Sequence, residues 1–358
     1  MIKQNKGEWS ELYVFLKLLG DGVLYAADAD LNKIEDLYYP LIEILRKENE
    51  NTKHYVKDDV TIKVKDDNNN TLLELPATEF ETKAKVLYNA IKNNKGAFSV
   101  EEIENFINFI QYTKIKANSA EKGDITIVLH DNKTYRNDLF SFSIKSYIGG
   151  APTLFNPGPS TNFTYKIIGN LSDEDIKQIN SIDDHSKIIS RIEAILNKNC
   201  RIEFFNVEHE TCKANLQMID TLFPLIMSQI LFNRYISNKN GIKELTQVIT
   251  EQNPCNYDLN IQPHSYEFKI KNFLTSSALG MTAATPWSGL YRATGGCIIA
   301  KEDGETLCYH AYNYNDFQDY LYNNTRIETP STSRYDFGYV YKENGASYIK
   351  LNLQVRFI

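Results

Sequence analysis

The alternation of apolar and polar positions is sharpest between residues 125 and 145. In ITIVLHD (125–131) the residues Ile125, Ile127 and Val128, and in FSFSIK (140–145) the residues Phe140, Phe142 and Ile144, supply β-branched and aromatic side chains at strand spacing. A period of two in such a composition predicts two strands. Ser143 and Lys145 then share one face of the second strand, and Phe142 and Ile144 point into the opposite layer. A lysine in the middle of a core-type strand requires either a path to solvent or an anionic partner. Asp124 stands at the mouth of the first strand.

Elsewhere the pattern changes period. GEWSELYVFLKLLGDG (7–22) predicts a helix with Leu12, Phe15, Leu16 and Leu19 on its apolar face, ended by Gly20 and Gly22. LNKIEDLYYPLIEILRKE (31–48) reads as a short helix, an interruption at Pro40 and more helix. VTIKVKDDNNNTLLEL (60–75) predicts a hairpin, and ATEFETKAKVLYNAIKNN (77–94) a helix. FSVEEIENFINFIQYTKI (98–115) predicts another, with Ser99 and Glu102 as a capping box.

After the glycine- and proline-rich GGAPTLFNPGPSTNFTYKI (149–167), which returns to a strand, LSDEDIKQIN and DHSKIISRIEAILNKN predict helices. A long helix is expected over about 210–236, bent near Pro224. From about residue 260 the reading turns to strands: YEFKIKNF, GGCIIAKEDGETLCYHAY and YDFGYVYKENGASYIKLNLQVRF. The hairpins there turn at Glu302-Asp303-Gly304 and Glu343-Asn344-Gly345. The expected fold class is mixed α/β (α+β), in two closely packed lobes with a break near residue 170.

Composition narrows the function. With 358 residues, 42% hydrophobic and 24% charged, the chain is an ordinary globular one, long enough for two domains. The longest apolar run, MIDTLFPLIMSQILF (218–232), is interrupted by Asp220, Pro224 and Gln229 and is too short and polar to span a bilayer. No signal peptide, lipidation motif or membrane partner is expected. Five cysteines without a CxxC pair predict reduced, cytosolic thiols, and neither they nor the six histidines show zinc-ligand spacing. A net charge of −7 argues against a nucleic-acid partner at first sight. The acid is concentrated early, however: residues 1–60 carry 12 acidic against 8 basic side chains, while residues 326–358 carry 5 basic against 3 acidic. Basic patches in the later half remain open.

An acid at the start of one strand and a lysine on its neighbour is the arrangement a metal-assisted phosphodiester cleavage needs. A hard cation such as Mg²⁺ binds carboxylate oxygens, polarises the phosphate and activates water, and a lysine can orient or deprotonate that water. A structural ion pair at a sheet edge is the competing reading of Asp124 and Lys145. One carboxylate is few for such a site, and Glu8 and Glu11 lie along the stripe of Leu12, Phe15 and Leu19. Stabilisation of the helix N-terminus is the competing reading for these two.

GEWSELYVFLKLL, KGDITIVLHD, FSIKSYIGGAPTLFNPGPSTNF and TRIETPSTSRYDFG…YIKLNLQVRF together resemble type II restriction endonucleases of the HpaII kind, over nearly the whole chain. The resemblance implies a Mg²⁺-dependent, site-specific endonuclease of a bacterial restriction–modification system. It implies double-stranded DNA carrying the palindrome CCGG as substrate, and a divergent PD-(D/E)XK nuclease fold with a mixed sheet flanked by helices. It also implies a cytoplasmic setting, a cognate DNA methyltransferase as functional partner, and a homodimer on DNA as the arrangement a palindrome favours.

By this resemblance Gly123-Asp124 stands in the Pro-Asp position, a replacement expected to be chemically harmless. Ser143-Ile144-Lys145 stands in the acid-x-Lys position and lacks the second acid, so Asp124 is expected to bind metal with help from Glu8 or Glu11. Residues 1–170 would form the nuclease core, with an insertion at about 35–115, and residues 171–358 the recognition half. Arg334, Arg326 and Arg292 are candidates for bidentate contacts to guanine, and Asn162, Ser331, Ser333 and Gln354 for bases or phosphates. The small-residue run LTSSALGMTAATPWSG (274–289) would let DNA approach the backbone. A non-catalytic DNA- or RNA-binding protein is the alternative. A small-molecule hydrolase is disfavoured by the lack of a GxSxG elbow or phosphate-cradling glycine loop.

Overall fold

The computed structural model describes residues 3–48, 51–112 and 123–358. The chain divides into two compact units, Met1–Pro152 with Tyr291–Tyr320, and Thr153–Leu290 with Leu321–Ile358. The expected boundary near residue 170 assigned every late strand to the second half. Two of them instead return to the first unit, because the edges they pair with are there.

Among the described residues the first unit holds β1 (Val23–Ala27), β2 (Lys33–Glu48), β3 (Asn51–Asp58), β4 (Thr61–Lys65), β5 (Thr71–Pro76), β6 (Ile125–Asp131) and β7 (Arg136–Ser146). Its helices are α1 (Lys6–Asp21), α2 (Ala77–Asn93) and α3 (Glu101–Phe109). The second unit holds β8 (Thr153–Phe155), β9 (Asn162–Ile168), β10 (Arg201–Val207) and the helices α4 (Asp173–Ser181), α5 (Lys187–Asn197), α6 (Glu210–Ile219), α7 (Phe223–Ile236), α8 (Ile242–Gln252) and α9 (Ser265–Ala278). The chain then returns to the first unit for β11 (Gly296–Ala300) and β12 (Thr306–His310). After α10 (Tyr314–Asn323) it completes the second with β13 (Thr325–Ile327), α11 (Thr332–Tyr335), β14 (Val340–Glu343), β15 (Ala346–Asn352) and β16 (Val355–Phe357).

In the first unit the strands form a nine-stranded mixed sheet in the order β1-β12-β11-β7-β6-β2-β3-β4-β5. β7 is central: it runs antiparallel to β6, with Ile125 opposite Phe142, and parallel to β11, with Cys297 opposite Ser143. Trp9, Leu12, Phe15, Leu16 and Leu19 of α1 are buried in one cluster with Ile44, Ile127 and Phe142 of the sheet. The helical period read over 7–22 is therefore the face that buries α1. The second unit pairs β10-β9-β15-β14 in one sheet and β13-β16-β8 in another. This is the mixed α/β architecture expected.

Four readings of the sequence are corrected. Residues 31–48 are not helical: they form one long strand, β2, with Pro40 opposite Val23 and a register shift between Leu41 and Glu43. Pro40 lacks an N–H for the ladder, and the register shift, on the β6 side, brings buried Tyr39, Leu41, Ile44 and Arg46 onto one face. YEFKIKNF is helical, within α9: Tyr266, Ile270, Phe273 and Leu274 are fully buried and Phe268 is 62% exposed. The apparent alternation there was an i, i+4, i+7 stripe. The expected bent helix over 210–236 is two helices, α6 and α7, with Pro224 in the first turn of the second, where its missing N–H costs nothing. Finally, the N-cap of α3 is Val100, and no side chain bonds there, so Ser99 and Glu102 form no capping box. Glu102 pairs with Lys83 instead, at 2.9 Å. Thr113-Lys114-Ile115, the end of that predicted helix, lie outside the described residues.

Candidate active site

α1 carries the two acids noted in the sequence, and the fold separates them. The side-chain oxygen of Asn5 accepts a hydrogen bond from the Glu8 N–H at 3.0 Å, and the Glu8 carboxylate accepts one from the Asn5 N–H at 3.0 Å. This reciprocal capping box satisfies helix donors that would otherwise lack partners. Glu8 thus takes up the local role that its position allowed. Glu11, one turn on, borders a pocket of about 20 Å³ together with Phe15, Arg46, Tyr112, Asp124 and Thr126. Burial, and then the neighbouring charge of Asp124, push its carboxyl up to about 8, against the pull of the Arg46 and Lys145 charges. At neutral pH Glu11 is mostly protonated in the metal-free chain.

Asp124 is fastened to β7 by its backbone and side chain. Its N–H donates to the Phe142 carbonyl at 2.9 Å. Its Oδ2 accepts from the Ile144 N–H at 2.7 Å and from the Ser143 hydroxyl at 3.3 Å. The residue at the position of the missing acid therefore steadies Asp124 by donating to it. Gly123 adopts φ +102°, and an added Cβ would lie 3.0 Å from the Ser141 Cβ and 3.1 Å from the Phe142 carbonyl oxygen. Proline, fixed near −65°, cannot take that conformation. The replacement of proline by glycine is therefore a change in backbone character, and the turn that delivers Asp124 depends on it.

Lys145 lies two residues beyond Ser143, half-buried and opposite Ile299 of β11. Its charge and that of Asp124 act together on two groups, Glu11 and the Cys297 thiol. Cys297 is fully buried, and burial pushes its thiol up to about 12, so it stays neutral and is no nucleophile. Among the described residues no group of three or more His, Cys, Asp or Glu side chains is arranged to hold a metal. The pair Glu11 and Asp124 nevertheless suits a hard cation of the Mg²⁺ type, which commonly takes one or two carboxylates and completes its shell with water and substrate phosphate.

Comparison with known proteins decides the family. The sequence profile of the HpaII restriction endonuclease family matches residues 5–357. The chain belongs to that family. It is also 42% identical over 356 residues, 99% of this chain and 98% of the other, to the type II restriction enzyme HpaII of Haemophilus parainfluenzae. No solved structure matches. As a member of the HpaII family the chain is a type II restriction endonuclease, a site-specific deoxyribonuclease acting on DNA. The readings as a non-catalytic binding protein or small-molecule hydrolase are thereby set aside. Restriction enzymes of this type generally use a divalent metal. Among the described residues no helix is long and apolar enough to cross a membrane.

The candidate base readers of this HpaII-family chain differ in how they are presented. In the second unit Arg334 is exposed on α11, beside Ser331 and Ser333, whose hydroxyls lie 2.9 Å apart. Arg326 of β13 is paired with Glu328, Nε to Oε2 at 3.0 Å. Arg292 is exposed in the first unit. Asn162 and Gln354 are buried, at 3% and 8% exposed. Asn162 donates to the Tyr335 carbonyl at 2.9 Å and accepts from Asn352 at 2.7 Å, so it braces β9 internally rather than facing a ligand. Residues 274–281 are mostly buried in and just after α9, which closes that part of the small-residue run to DNA. Arg46 was missed. It sits in a stretch read as helix, where a lone arginine gives no signal, and only the strand register turns it inward.

Proposed function

We propose that the chain cleaves double-stranded DNA within CCGG, with Mg²⁺ as cofactor, through a site built on Asp124, Glu11 and Lys145 in a divergent PD-(D/E)XK arrangement. The observation that carries this reading is the convergence on one small pocket of carboxyls from α1 and from the entry to β6, within reach of the Lys145 charge. Bound there, the ion would neutralise the phosphate and lower the pKa of the attacking water. Asp124, held by two donors from β7, contributes a carboxylate whose direction is set before substrate arrives. Ser143 keeps it so, and Glu11 supplies the charge that the missing second acid would have brought, on losing its proton. The Lys145 ammonium orients the water and offsets the charge gathering on the phosphate, and the water's proton passes to solvent. Glu8 supports the site by fixing the start of α1.

On this reading the nuclease core is the first unit, Met1–Pro152 with Tyr291–Tyr320, and recognition falls mainly to the second, with Arg334, Arg326 and Ser331 or Ser333 reading bases or phosphates and Arg292 of the first unit assisting. The palindrome favours a homodimer on DNA, and the cell, a bacterium, protects its own sites in the cytoplasm with a cognate methyltransferase. Incubation of plasmid DNA with and without Mg²⁺, followed by mapping of the ends, tests the assignment. Metal-dependent ends within CCGG are expected, and ends elsewhere would refute the specificity. Arg334→Ala is expected to fold normally and to lose about 1–3 kcal/mol of discrimination at one base pair, measured by cleavage of singly substituted sites.

A further inference from the structure

The pocket that joins Glu11 to Asp124 has a third charged wall. Arg46 on β2 is only 8% exposed, and its guanidinium lies 4.6 Å from the centroid of the Tyr112 ring. Tyr112 packs on Phe15 at 4.8 Å, and Phe15 on Tyr55 at 4.9 Å, so the guanidinium rests on an aromatic shelf continuous with α1. The register places it one residue beyond Leu45, which pairs with Thr126 of β6, the end of that strand from which Asp124 emerges. A guanidinium is costly to bury and is retained beside negative charge, here the Glu11 and Asp124 carboxyls that line the same pocket. Two ions about 3.5–4 Å apart, as in two-metal sites, would need more carboxylate ligands than the two that line this pocket. Ser143 has removed one of those ligands.

We propose that Arg46 is a catalytic residue whose fixed guanidinium contacts the scissile phosphate and supplies the positive charge a second ion would otherwise bring, so that each active site works with a single divalent ion. This rests on the metal-dependent cleavage reading above. A planar, permanently charged fork suits two phosphate oxygens, and its shelf holds it in place before DNA binds.

The test counts ions and separates binding from turnover. Titration of the intact wild-type protein with Mn²⁺, followed by the electron-spin resonance of the unbound ion, is expected to give one ion per chain. Two ions per chain would overturn the proposal without reference to any variant. Arg46→Gln is expected to lower kcat about 100-fold, with the KM for cognate DNA and the Mn²⁺ count unchanged. Arg46→Lys, which keeps the charge but loses the planar fork and its stacking, is expected to lose about tenfold. Wild-type turnover in Arg46→Gln, or a loss beyond about 100-fold in folded Arg46→Lys, would sink the idea, and the second outcome decides the matter even if Arg46→Gln fails to fold. Glu11→Gln separates the two levels. If it binds and cleaves like wild type, the metal-site reading itself is wrong. If it loses Mn²⁺ while Arg46→Gln turns over normally, only the arginine's role is refuted.

Discussion

Glu11, partly buried, and His310, fully buried, are two titratable groups of the same unit, and desolvation is the largest influence on both. It pushes the Glu11 carboxyl up to about 8 and the His310 imidazole down to about 4. Their surroundings differ. Around Glu11 stand Asp124, Arg46, Lys145 and Glu8, all acting on it by charge. Around His310 stand rings: Tyr312 at 4.4 Å, Phe140 at 4.7 Å, Tyr39 at 4.9 Å and Phe142 at 5.9 Å. Its Nδ1 accepts from the Tyr312 N–H at 3.3 Å, and Asp131 alone adds a charge. A displaced pKa therefore marks a place for chemistry only where other charges converge and substrate has a way in. In the aromatic box it records the cost of burying an imidazole.

The largest effects should come from the charged pocket. Asp124→Asn and Lys145→Met are each expected to lower cleavage by about 1,000-fold or more while the folded spectrum is kept. Cleavage near wild-type rates in either would put the chemistry elsewhere. Glu11→Gln is expected to cost about 100-fold or more in turnover. In the metal-free protein it should also raise the melting temperature near pH 8, since it replaces a carboxyl whose charge is disfavoured there. An unchanged or lower melting point would contradict the burial argument.

The aromatic box should show in stability alone. His310 binds a proton near pH 4 when folded and near 6.5 when unfolded, so the unfolded chain takes up a proton first as the pH falls. The stability associated with the neutral imidazole is complete above about pH 6.5, declines between about 6.5 and 4, and is gone below. The full loss is about 3 kcal/mol. His310→Asn should flatten that limb in denaturant titrations at several pH values while leaving cleavage at neutral pH within about twofold. A large change in turnover would show that the box is part of the site after all. The smallest effect belongs to Glu8→Gln, which weakens a cap worth about 1 kcal/mol and should leave metal-dependent cleavage alone. Loss of cleavage at full stability would return Glu8 to the metal site.

Much of the proposed site was legible before the fold was known, though unevenly. Asp124 and Lys145 were visible because strand alternation and a glycine-led turn are local features, and the blocks around them carry the family resemblance. That Ser143 would donate to Asp124 followed from neither spacing nor residue type, because it depends on how β6 docks on β7. The sequence offered Glu8 and Glu11 alike, since both lie on one stripe, and only the fold gives Glu8 the cap at Asn5 and Glu11 the approach of Asp124. Asn162, a candidate for DNA contact in the sequence, is buried and bonded to Tyr335 and Asn352, since polar type does not report burial.

By itself the sequence determined the local elements whose signals lie within a few residues. These are the apolar face of α1, the strands β6 and β7, and the late hairpins whose turns place Gly304 at φ +89° and Asn344 at φ +49°. Period and turn chemistry act between chain neighbours, so they can be read without a fold. The tertiary structure decided what depends on distant partners. It made residues 33–48 a strand rather than a helix, returned β11 and β12 to the first sheet, turned Arg46 inward, and displaced the pKa of Glu11. Desolvation and charge are sums over neighbours in space, and those neighbours come from segments that no local pattern connects.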